Sequence, residues 1–120
     1  MTNENGMPKV TPSARGLGAR AGVGGDIPVD VHGMVHPETG GISVSPSPQD
    51  LPGHRRPPEF GGTGKDPVWK MNTDDLGPDL KHVPDKPGHG TIQPSRSMHV
   101  DDYQKALAET QQKWKKACPK

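Results

Sequence analysis

Apolar residues are sparse along this chain, and where they occur their spacing is regular. From Leu17 the stretch "LGARAGVGGDIPVDVHGMVHP" puts Ile27, Val29 and Val31 at alternate positions, with Pro28, Asp30 and His32 between them. Alternation of this kind predicts a strand, and Pro28 restricts it to a sheet edge. The same period returns in "GISVS" (41 to 45), where Ile42 and Val44 share one face and Gly41, Ser43 and Ser45 the other. Three further short strands are predicted at "PVWKM" (67 to 71), "LKHV" (80 to 83) and "GTIQ" (90 to 93), separated by the turn-forming "DDLGPD" and "PDKPGH". These connections are too short for a crossover helix, so the strands are expected to be antiparallel neighbours.

The period then changes. Val100, Tyr103, Leu107, Thr110, Trp114 and Ala117 recur every three or four residues with polar residues between them. This predicts an amphipathic helix of about 17 residues. Asp101 and Asp102 at its start and Lys113, Lys115 and Lys116 at its end suit the helix dipole, and Pro119 would stop it. His99 stands at the cap position, with Ser97 as the better cap residue nearby. Tyr103 and Trp114 read as core contacts.

Composition narrows the class. The chain has 120 residues, among them 16 Gly and 15 Pro, while Leu, Ile, Val and Phe together number 18. Such a composition lies near the disordered range, but a formal net charge of +1 supplies no repulsion to hold the chain open. The expectation is one small, thinly cored α+β domain over residues 15 to 118, loop-rich and preceded by a flexible tail at 1 to 14. The segment 45 to 64, with five prolines and four glycines, is a long irregular connection. Balanced charge gives no electrostatic reason to expect nucleic acid or an anionic membrane as partner. The basic runs "GHRRPP" (53 to 58) and 113 to 120 read as solvated surface. The single Cys118 leaves no internal disulfide and suits a reducing compartment. No spanning segment is expected, nor a signal peptide in "MTNENGMPKV", so the expected location is the cytoplasm of the producing or the target cell.

Candidate chemistry is spread along the chain. His32 and His36 have helical ligand spacing, but Gly33 and Pro37 argue against a helix there, and His82 and His89 flank a turn without a partnered Cys or carboxylate. No metal site is expected. "GGTGKDP" (61 to 67) has glycines and a lysine but lacks the hydroxyl of a phosphate loop, and no serine sits in a G-x-S-x-G corner. His89 lies between two glycines in "PGHGTIQP" and can approach a ligand with little hindrance. In "ETGGISVS", Gly40 and Gly41 would let backbone groups meet an amide-bearing or anionic ligand, with Ser43 and Ser45 projecting into the same space.

The order of "TGG-I-SV" (39 to 44), "GPDLK" (77 to 81), "HGTIQPSRSM" (89 to 98) and "YQKALAETQQKWKKA" (103 to 117) resembles a family of small type VI secretion effectors, toxins with an ADP-ribosyltransferase-like fold. The resemblance covers roughly residues 17 to 117. It implies small antiparallel sheets forming a cleft for NAD, with one amphipathic helix near the C-terminus. It also implies action on a target in the cytoplasm of a neighbouring bacterium, interbacterial competition, and a cognate immunity protein. The family writes T-G-G-T-S-V where this chain has Ile42 in place of the second threonine and keeps Ser43. The site it implies joins Ser43, His89 and Gln93 as catalytic residues to Arg20, Gly40, Gly41, Ser45 and Trp69 as NAD contacts. Ser43 would orient the nicotinamide ribose, Arg20 meet pyrophosphate, and His89 meet ribose or target. Trp69 would offer a stacking surface or belong to the core. The resemblance shows no convincing carboxylate: Glu38 only begins the serine strand, and Gln93 is uncharged. Two other readings remain open. One is a metal-independent RNA-directed nuclease or phosphotransferase using His82 or His89 with Lys81, Lys86 or Arg96. The other is a non-enzymatic adaptor built on the Pro-rich segment, and nucleic acid is a partner only under the nuclease reading.

Overall fold

The computed structural model describes residues 1, 3–4, 6–11, 16–22, 25–45, 51, 62–63 and 68–116. Most of the irregular 45 to 64 segment, "GHRRPP", most of "GGTGKDP", Cys118 and Pro119 lie outside the described residues. The architecture is α+β: small antiparallel sheets and one helix. β1 (Asn3–Glu4) pairs with β2 (Met7–Pro8), β3 (Met34–Val35) with β8 (Met98–His99), and β5 (Trp69–Lys70) with β9 (Lys115–Lys116). A three-stranded sheet carries β7 (His89–Pro94) at its centre, between β4 (Ile42–Val44) and β6 (Leu80–Lys86). Within residues 1 to 14 the β1–β2 pair closes on the fold, where Pro8 is buried and its carbonyl accepts a hydrogen bond from Gln111 Nε2 at 3.0 Å.

The β6–β7 hairpin follows from local chemistry. Pro87 and Gly88 form a two-residue connection, Gly88 has φ +77°, and Lys86 lies opposite His89. Pro84 fits because β6 is an edge strand, and the register shifts between Pro84 and Lys86. The expected turn at "PDKPGH" is thus two residues long, and the strand reaches Lys86. Of the three strands expected as neighbours, two pair. The third, at Trp69–Lys70, pairs with the C-terminal β9 instead.

The helix α1 (Val100–Glu109) has ten residues and is shorter than its periodicity predicts. His99, at the expected cap position, caps it in preference to the alternative Ser97: its Nδ1 accepts the Asp101 N–H at 3.1 Å. Thr110 ends it. The Thr110 hydroxyl donates back to Leu107 O at 2.7 Å and accepts the Trp114 indole N–H at 3.0 Å. Trp114 therefore reaches the core from extended backbone, and Lys115 and Lys116 form β9 instead of a last helical turn. Tyr103, Ala106 and Leu107 form the buried face of α1, against a core that includes Leu17, Ile27, Val35, Trp69, Leu80, Ile92 and Met98.

The strand expected over 27 to 31 does not form. Ile27 is buried and makes one isolated parallel bridge with Ala21, while Val31 is 95% exposed. Asp30 is the cause. Its Oδ1 accepts the N–H groups of His32 and Met34, each at 2.9 Å, which turns the chain before alternation can continue. Among the described residues, no helix is long and apolar enough to cross a membrane.

Candidate active site

The register of β4 against β7 decides which side chains meet. Ser43 lies opposite Thr91, and Ile42 opposite Ile92. Because side chains alternate across a strand, Ser43, His89, Thr91 and Gln93 share one face, with Ile42 and Ile92 on the other. Ile92 is buried on that second face. Its carbonyl accepts the Tyr103 hydroxyl at 2.7 Å, and burial pushes that phenol far above its usual pKa. The apolar side of β7 is thus anchored on α1, and Ser43, Thr91 and His89 lie on the opposite side. Ser43 is exposed, and Thr91 and His89 are half-buried.

Gln93 organises this outward face. Its side chain is nearly buried, its Nε2 donates to Thr91 Oγ1 at 3.0 Å, and its Oε1 accepts the Glu38 N–H at 2.9 Å. Glu38 has φ +68°, the one positive φ at a non-glycine among the described residues. Its carboxylate pairs with Lys81, which lies opposite Gln93 on β6. The carboxylate that the sequence did not reveal is therefore attached to this face, carried there by the 36–41 segment. At the other end of the face, His89 Nδ1 lies 2.7 Å from Asp85 Oδ1, and this hydrogen bond holds the Asp85 carboxyl below its usual pKa.

The expected glycine cradle takes a different form. A Cβ on Gly41 would lie 2.2 Å from Ile92 O, and one on Gly40, with φ +147°, 2.5 Å from Asp26 O. The close approach that demands glycine is thus made by the chain's own backbone, and the Gly41 N–H donates to Asp26 O at 2.9 Å. Arg20 supports the same corner. Its Nη2 meets Asp26 Oδ1 at 3.2 Å while Asp26 Oδ2 accepts the Arg20 N–H at 2.8 Å. Half of the Arg20 side chain remains exposed. Ser45, half-buried, lies just past the end of β4. Trp69 belongs to the core, and its indole N–H donates to Met1 O at 2.6 Å, which leaves no open face for stacking.

Other candidates separate. His82 pairs with Ile92 across β6–β7, so His82 and His89 occupy opposite faces and do not converge on one phosphate. Lys81 is paired with Glu38 and Arg96 with Asp79, which neutralises two of the three cations that a phosphotransferase would use. His32 is exposed in a turn and His36 is bonded to Asp30 and Ser97. Among the described residues no group of three or more His, Cys, Asp or Glu side chains could hold a metal ion. A cavity of about 150 Å³ lies elsewhere, between 75–79 and α1, and its lining includes Asp75, Asp79 and Glu109. That acidic wall opposes a pyrophosphate.

An α+β chain whose central strand gathers hydroxyl, amide, imidazole and carboxylate groups on one outward face is suited to holding a polar, hydroxyl-rich ligand. The sequence profile of the Tse2 ADP-ribosyltransferase toxin family matches residues 2–117, nearly the whole chain. The chain belongs to this family of type VI effector toxins. Neither the curated proteins nor the solved structures hold a match to it.

Proposed function

We propose that this toxin binds NAD across the outward face of β4 and β7 and transfers ADP-ribose to a target in the cytoplasm of a neighbouring bacterium, with a cognate immunity protein protecting the producer. One observation carries the reading: the Ser43–Thr91 register unites Ser43, His89 and Gln93 on one face, and Gln93 holds the backbone of Glu38 beside them. NAD supplies the ADP-ribosyl group through its bond between the ribose C1″ and nicotinamide. Positive charge grows on the ribose as that bond breaks, and a fixed carboxylate nearby lowers the barrier. Glu38 provides that carboxylate. Its ion pair with Lys81 orients it until the ligand arrives.

Ser43 orients the ribose hydroxyls, being exposed and free to rotate its proton. Arg20 contributes the exposed part of its guanidinium to the pyrophosphate, and its contact with Asp26 aligns the segment entering β4. Gly41 acts by letting that segment pack on the backbone of β7 and Gly40 by letting it pack on Asp26, and Ser45 extends the hydroxyl row. His89, oriented by Asp85, faces ribose or the incoming acceptor. Trp69 supports the fold and does not meet NAD.

The test is release of nicotinamide from NAD by the purified chain. Ser43→Ala and Glu38→Gln, both at exposed side chains, are each expected to lower the rate by about 10²-fold or more, with stability kept in Ser43→Ala and lowered by at most about 1 kcal/mol in Glu38→Gln through loss of the Lys81 ion pair. Expression of the wild-type chain in a bacterial cytoplasm should arrest growth, and both variants should relieve the arrest. Wild-type rates retained in both variants would remove this face from the reaction.

A further inference from the structure

A second group of side chains follows this face closely along the chain, with His36 two residues before Glu38 and Ser97 four after Gln93. In the β3–β8 ladder Val35 lies opposite Met98, so His36 and Ser97 are the next facing pair along the same two segments. His36 Nδ1 lies 2.7 Å from Ser97 Oγ, and His36 Nε2 lies 2.8 Å from Asp30 Oδ2. Asp30 is held firmly, since its other oxygen accepts the N–H groups of His32 and Met34. The network assigns the tautomer. A carboxylate can only accept, so Nε2 of the neutral ring carries the hydrogen toward Asp30, and Nδ1 is left to accept the Ser97 hydroxyl proton. The Asp30 carboxyl is lowered to a pKa of about 2, chiefly by the Met34 N–H and then by His36, and so stays ionised.

The result is a hydroxyl, a base and an orienting carboxylate in series, the arrangement that activates a serine. Ser97 itself is exposed. Other hydroxyls in the fold are used differently: Ser95, Thr39 and Thr110 donate to the carbonyls of Pro78, His36 and Leu107. His36 is also joined to the proposed site by the chain, two residues before Glu38, and its carbonyl accepts the Thr39 hydroxyl at 2.7 Å.

We propose that Ser97 is an activated nucleophile that accepts ADP-ribose, making the toxin a substrate of its own reaction, with His36 as general base and Asp30 as its positioning residue. This inference rests on the function proposed above for the outward face of β4 and β7. Ser97 Oγ forms a bond to C1″ of the nicotinamide ribose while the bond from C1″ to nicotinamide breaks. Nicotinamide leaves as a neutral molecule with the bonding electron pair, and the serine proton passes to His36 Nδ1. Nothing is oxidised or reduced.

The experiment incubates the full chain, made by cell-free synthesis, with NAD. It follows released nicotinamide and maps ADP-ribose on peptides by mass spectrometry. The wild-type chain is expected to carry the adduct at Ser97. Ser97→Ala removes one surface hydroxyl, so it should fold, keep the steady-state release of nicotinamide to water, and lose both the adduct and the single equivalent of nicotinamide released in forming it. His36→Asn should lower adduct formation by about 10²-fold with nicotinamide release retained. Release of nicotinamide with no adduct at Ser97 overturns this inference and leaves the proposed function standing. No release of nicotinamide overturns both.

Discussion

Glu38 separates backbone strain from chemistry in one position. Its φ of +68° lies where an L-residue with a Cβ loses about 1–2 kcal/mol relative to the right-handed region. Glycine does not suffer this loss, although its freer unfolded chain costs about 0.4–1 kcal/mol relative to alanine. Replacing Glu38 by Gly or by Ala removes the same ion pair with Lys81, and with the Glu38 side chain 67% exposed that pair contributes at most about 1 kcal/mol. The ion-pair loss cancels between the two variants. Glu38→Gly should therefore be more stable than Glu38→Ala by about 0.5–1 kcal/mol, or about 2–4 °C in Tm. Urea and thermal melts followed by circular dichroism read that difference. Nicotinamide release should fall by about 10²-fold or more in both, because neither supplies a carboxylate to the ribose. Glu38→Ala as stable as Glu38→Gly would refute the strain. A Glu38→Gly chain that released nicotinamide at the wild-type rate would refute the catalytic role.

Gly41→Ala would drive a Cβ to 2.2 Å from Ile92 O and push β4 from β7, so a loss of about 3 kcal/mol is expected, seen as a lower urea midpoint. A midpoint unchanged from wild type would show that the β4–β7 contact yields easily. Tyr103→Phe removes a buried hydroxyl that donates to Ile92 O, and should cost about 1 kcal/mol in the same melt while nicotinamide release is kept. The Asp30 carboxyl, ordinarily near 3.8, titrates near 2 in the folded chain, so between these values the unfolded chain binds more protons. Its stabilising effect is complete above about pH 4 and is lost as pH falls through 2, with Asp85, also lowered, acting in the same direction. The wild-type urea midpoint should thus fall more steeply from pH 4 to pH 2 than that of Asp30→Asn, and parallel curves would contradict it.

Much of the candidate face could be read before any coordinates. Alternation in "GISVS" already put Ser43 and Ser45 on the face opposite Ile42 and Val44, because one apolar face must be buried and the pleat carries the other outward; the burial of Gln93 beneath Glu38 was not legible there. Local rules failed where a side chain bonded its own backbone. Asp30 ended an alternating run by capturing two N–H groups, and Thr110 ended a helical one by donating to Leu107. An aspartate two residues before "HG" was a usable sign of the first. Nothing local marked the second, since Trp114 and Ala117 sustain the helical period on the page. Trp69 was open between core and ligand until its strand partner proved to be β9 at the far end of the chain.

By itself the chain determined its faces: period two for β4 and for the cores of β6 and β7, a period near 3.6 for the start of α1, and a turn somewhere within "PDKPGH". These depend on neighbours within a few residues, where sterics and burial leave little choice. Only the tertiary structure decided that Ser43 faces Thr91, that Gln93 holds Glu38, and that Asp30, His36 and Ser97 form a series. Contacts between distant segments depend on how the whole core closes, and no residue pattern carries that in advance.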